Sequence, residues 1–91
     1  MKGATLRLRA LSGAPLDDPE VRGVVVSLVR EIAAEAGIVI TAVETTGTLL
    51  VVTLETDALA AMGLLAELRR RTNVWYEERF KDGPLWGTRR G

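Results

Sequence analysis

Eight residues near the middle of the chain, Thr48–Glu55 (TLLVVTLE), limit the fold more than any other stretch. In an extended chain successive side chains alternate between faces. Leu50, Val52 and Leu54 then point one way, and Leu49, Val51 and Thr53 the other. Both faces are apolar over most of their length, and no breaker interrupts them. The run is short for a helix, and its β-branched residues favour a strand. A strand of this kind belongs in the middle of a sheet, with cover on both sides.

The remaining elements follow from local chemistry. Ala4–Leu11 alternates, with Ala4, Leu6, Leu8 and Ala10 on one face and Thr5, Arg7, Arg9 and Leu11 on the other, as in a half-buried strand. After the loop Ser12–Leu16 comes a strong helix start: Asp18 as cap, Pro19 in the first turn, and Glu20 complementing the dipole. Val21, Val24, Val25, Leu28, Ile32 and Ala36 form an apolar stripe that ends at Gly37, a left-handed cap. A strand over Ile38–Thr45 and a tight turn around Gly47, with positive φ at that glycine, lead back into Thr48–Glu55. Thr56 or Asp57 caps a second helix reaching about Arg71, with stripe Ala58, Ala61, Met62, Leu65 and Leu68, and Asn73 as its exit residue. Val74–Phe80 (VWYEERF) alternates as a last strand. Then come a turn at Asp82-Gly83-Pro84, Leu85-Trp86 and a basic end.

The resulting order, β-α-β-β-α-β, is that of an α+β, ferredoxin-like sandwich: a four-stranded antiparallel sheet with both helices on one face. Residues 1–80 form the domain and residues 81–91 a tail with a Leu-Trp anchor. Ninety-one residues suffice for one small core, and 47% hydrophobic content argues against disorder.

Several functional classes lose support at this level. Histidine and cysteine are absent, which removes the commonest general base, thiolate nucleophiles and the usual transition-metal ligands. Ser12 and Ser27 have no candidate base nearby in sequence, and Asp17-Asp18 lacks the spaced oxygen ligands of a calcium loop. No catalytic residue, metal or cofactor is therefore expected. Twelve basic and twelve acidic residues cancel, so no net field draws the chain to nucleic acid or to a membrane. The basic residues are nearly all arginine, which together with abundant Ala, Gly, Val and Leu suggests a high-GC bacterial source. With no signal-like or membrane-length apolar run, a soluble cytoplasmic protein is the expectation.

RNA-recognition domains share the topology but stack bases on aromatic residues of the central strands, which carry none here. Arg7 and Arg9 are expected beside Glu77 across the sheet. Arg69–Arg71 with Arg79, Arg89 and Arg90 could form a local basic patch. The stronger signal is apolar surface left without cover: Leu49 and Val51, with Val39, Val43 and Trp75 beside them, and Leu64 and Val26 off their helix stripes. Trp86, after Gly-Pro-Leu, reads as an anchor on its own chain or on a partner.

Across Glu31–Leu65 the chain resembles an ACT domain, a small regulatory module that often binds amino acids. The resemblance rests on REIAAEAGIVI, where the helix runs through Ala36-Gly37 into Ile38-Val39-Ile40, and on the hairpin and Leu- and Ala-rich helix that follow. It implies the same element order, pairing between copies, and a ligand near the first loop, here Gly13, Asp17 and Asp18.

The leading expectation is a non-catalytic interaction or regulatory module acting by self-association or by docking into a larger bacterial assembly. Arg7, Arg9, Leu49, Val51, Trp75, Leu85 and Trp86 would make its contacts. An amino-acid-sensing domain and an RRM-like nucleic-acid binder are the alternatives.

Overall fold

In the computed structural model, residues 3–11, 13–81 and 85–86 are described. Ser12, the Asp82-Gly83-Pro84 turn, and Arg89 and Arg90 of the basic end lie outside them. The chain forms β1 (Ala4–Arg9), a 3-10 turn (Pro15–Asp17), α1 (Pro19–Ala36), β2 (Val39–Thr45), β3 (Leu49–Glu55) and α2 (Ala58–Phe80). The fold is α+β, with two helices and a three-stranded antiparallel sheet of order β1-β3-β2 among the described residues. No helix among the described residues is long and apolar enough to cross a membrane.

β3 is the central strand, as its two apolar faces demand. Leu50, Val52 and Leu54 are buried beneath the helices, opposite Leu8, Leu6 and Ala4 of β1. Helix α1 also follows its local signals. The Asp18 carboxylate accepts the Glu20 N–H at 2.8 Å, and Gly37 closes the helix at φ 70°. Its buried stripe is Val21, Val25, Val29, Ile32 and Ala33, so Val24 and Leu28 are half-buried and Ala36 is exposed.

Several expectations need correction. First, Val74–Phe80 is not a fourth strand but the end of α2. The ferredoxin-like four-stranded order is therefore not what these elements form. The segment alternates, but it also continues the three- and four-residue steps of Ala61, Leu64, Leu68 and Thr72, the buried residues of α2. Trp75, Tyr76 and Phe80 then gather on one side of the helix, with Tyr76 and Phe80 centroids 4.8 Å apart and Trp75 edge-on to Phe80 at 6.0 Å. Nothing between Ala58 and Phe80 breaks the helix. Asn73 is not an exit residue either: its side-chain oxygen accepts the N–H groups of Leu85 at 2.8 Å and Trp86 at 3.1 Å. Leu64, expected off the stripe, is in the core, and Met62, expected on it, is 66% exposed.

Second, Gly47 does not adopt positive φ, which among the described glycines is confined to Gly13 and Gly37. What Gly47 provides is room. A β-carbon there would come within 2.8 Å of the Asp17 carboxylate and 3.0 Å of the Ala14 β-carbon. This close approach lets the Leu16 N–H reach the Gly47 carbonyl at 3.0 Å and seats Leu16 in the core.

Third, β2 pairs with β3 through a register shift between Ile40 and Ala42. Thr41 is the extra residue, and its hydroxyl donates to the Thr53 carbonyl at 3.2 Å. The shift exchanges the faces of all that follows. Val43 therefore lies opposite Val52 on the core side, and not beside Leu49 and Val51 as alternation from Val39 would have it.

Leu85 and Trp86 belong to the core, and Trp86 is fully buried. Its indole N–H donates to the Thr72 hydroxyl at 2.6 Å, which in turn donates to the Leu68 carbonyl at 2.7 Å. On the edge of β1 away from β3, Leu11 N–H donates to the Leu85 carbonyl at 2.9 Å, and Ala10 and Trp86 form an antiparallel bridge.

Candidate functional site

Both helices lie on one face of the sheet, where Leu6, Leu8, Leu50, Val52 and Leu54 are buried. Among the described residues no element lies against the other face. Antiparallel pairing sets that face in rows across the strands, because residues directly opposite each other share a side. One row is Arg7, Val51 and Glu44; the next on one side is Arg9 and Leu49, and on the other Thr5, Thr53 and Ala42. The centre is apolar and half-buried at Leu49 and Val51, which lie on the central strand. The flanks, Arg7 and Arg9 on β1 and Glu44 on β2, are exposed.

The face is thus graded across its width: positive on one flank, apolar in the middle, negative on the other. Arg7, Arg9 and Glu44 make no ion pair within 4 Å among the described residues. The ion pairs there are run from the helices by Arg70, Arg71 and Arg79.

Of the seven residues expected to make contacts, four come together here: Arg7, Arg9, Leu49 and Val51. Glu44 joins them without having been anticipated, because only the irregularity at Thr41 turns it to this side. Trp75 lies elsewhere, half-buried on α2. Leu85 and Trp86 pack into the chain's own core. Glu77, on α2, is not the cross-strand neighbour of Arg7 and Arg9, which face Val51 and Leu49 instead.

The loop expected to receive a ligand is engaged with its own chain. Asp18 caps α1, the Asp17 carboxylate abuts Gly47, and Gly13 takes φ 66°.

Of the arginines expected to form a basic patch, Arg70, Arg71 and Arg79 are paired with carboxylates, whereas the buried Nε of Arg69 has no partner among the described residues. Arg71 Nε donates to Glu67 at 2.6 Å, and the same guanidinium reaches Glu35 at 3.1 Å and Glu31 at 3.9 Å, joining the end of α1 to α2. Arg70 adds a second bond to Glu67 at 2.6 Å. Hydrogen bonds from Arg70 and Arg71 hold the Glu67 carboxyl below its ordinary range. Arg79 binds Glu20 through two nitrogens at 3.0 and 3.2 Å, tying the other end of α2 to the start of α1. Its own pKa is raised by that bond.

An open cleft of about 390 Å³ between α1 and α2 is lined by Gly23, Val24, Ser27, Leu28, Arg71 and Trp75. It is mostly apolar and has one cationic group, already paired with carboxylates.

No protein-family model matches this sequence, and no curated protein shows significant similarity to it, so the functional reading rests on the chain's own residues.

Proposed function

We propose that this chain is a non-catalytic contact module that acts through the uncovered face of its sheet, by self-association or by docking into a larger assembly. The observation that carries the reading is the grouping of Arg7, Arg9, Leu49, Val51 and Glu44 on one face with no helix over it. An apolar centre rimmed by charge is the layout of a protein contact. A base-stacking surface would need aromatic side chains, and none stands in these rows. The amino-acid-sensing alternative would use Gly13, Asp17 and Asp18, where the Asp18 carboxylate already caps α1 and that of Asp17 lies against Gly47.

Leu49→Lys and Val51→Lys test the reading, since each places a charge at the centre of the face. Each is expected to weaken assembly by at least about tenfold in sedimentation equilibrium, roughly 1.4 kcal/mol. The monomer should remain folded, since neither side chain belongs to the buried core. Normal assembly in both variants would remove the sheet face from the account.

A further inference from the structure

The sheet face has a property that identifies its partner, given the reading above that it is a contact surface. Its positive flank and its negative flank stand in the same row: Arg7 pairs with Val51, and Val51 with Glu44. Within one copy Arg7 and Glu44 are held on opposite sides of β3 and form no ion pair.

We infer that the partner is a second copy of this chain, stacked face to face about a twofold axis that runs along β3. Rotation about that axis exchanges left and right but leaves height along the strand unchanged. Val51 therefore meets Val51 of the second copy, and β1 of each copy lies over β2 of the other. Arg7 of each copy faces Glu44 of the other, giving two equivalent ion pairs around an apolar centre. An in-plane axis at right angles to the strands would instead set β1 over β1 and crowd four arginines, Arg7 and Arg9 from each copy. Charge thus selects one of the two simple ways in which this face can meet itself.

Glu55, also on this face opposite Val39, would lie near the axis and meet its own equivalent. It stands four residues from Val51, about 13 Å along the strand. The twist of stacked sheets, about 30°, carries the two carboxylates apart at the wet rim.

The patch is small. Three strands spaced by about 4.8 Å and seven residues at about 3.3 Å each give roughly 330 Å² in projection. A stable pair buries about 800 Å² per partner. Association is therefore weak and reversible, and its ion pairs, lying at the flanks, are sensitive to salt.

Sedimentation equilibrium of the full chain, up to about 1 mM protein at low salt, tests this with Arg7→Glu, Glu44→Arg, the double variant and Val51→Lys. The expected result is a monomer–dimer equilibrium that each single reversal weakens at least about fivefold. The double reversal, which restores opposite charges across the axis, should return it to within about twofold of the parent. A dimer abolished by Val51→Lys but indifferent to the reversals would overturn the axis and keep the sheet face. A dimer that all four variants leave intact would overturn both. A parent chain still monomeric at the highest concentration would overturn the second copy as partner, without touching the face as a surface for another protein.

Discussion

Replacing Trp86 with alanine is expected to lower the unfolding free energy by about 3–5 kcal/mol, the cost of emptying a fully buried aromatic site. For a domain of this size that is roughly a fifth or more of a total of about 5–15 kcal/mol. The effect has two parts. The indole fills the space between β1 and α2, and its N–H is the partner of a buried hydroxyl, that of Thr72. Trp86→Phe separates them: it keeps most of the apolar contact and removes the hydrogen bond, so it should cost about 1–3 kcal/mol. Urea unfolding followed by circular dichroism reads both values. If Trp86 were an anchor for another molecule, Trp86→Ala would leave the isolated chain as stable as before.

Glu77→Pro is expected to destabilise the chain by about 3 kcal/mol or more. Glu77 is an exposed side chain, so the substitution acts almost entirely through the backbone. In the interior of α2, proline removes one helical N–H bond and drives its ring into the carbonyl of Asn73, the residue whose side chain holds Leu85 and Trp86. The damage should therefore spread to the docking of that segment. In an exposed edge strand the same proline would cost far less, because an edge has N–H groups that face solvent. Thermal unfolding of Glu77→Pro beside Glu77→Ala distinguishes the two structures, with the alanine variant near the parent.

Those two substitutions fall where the sequence was hardest to read. Helix α1 is legible because its ends are written in local chemistry, with Asp18 and Pro19 at one end and Gly37 at the other. β3 is legible because two apolar faces in a short β-branched run admit few other settings. Val74–Phe80 satisfies both a two-residue and a helical period, and the choice between them depends on distant partners. Glu20 lies 59 residues from Arg79, and Trp86 lies 14 residues from Thr72. Trp86 is recognisable as an anchor from its size and setting, but its acceptor, a threonine inside a helix, carries no local mark.

The candidate face divides in the same way. Arg7, Arg9, Leu49 and Val51 follow from simple alternation along β1 and β3. Glu44 does not, because the extra residue at Thr41 reverses the parity of β2, and no glycine or proline announces it. One unpaired residue in the ladder thus decides whether valine or glutamate completes the row beside Val51. That row is what gives the face its charge gradient.

The most direct test of the sheet face as the contact surface is a dilution series of amide ¹H–¹⁵N spectra on the full chain. The account predicts that concentration-dependent shifts gather on Arg7, Arg9, Glu44 and Leu49 through Thr53, with α1 and α2 unmoved. Shifts confined to the cleft between the helices, around Ser27 and Trp75, would contradict it and move the contact to the opposite side of the molecule.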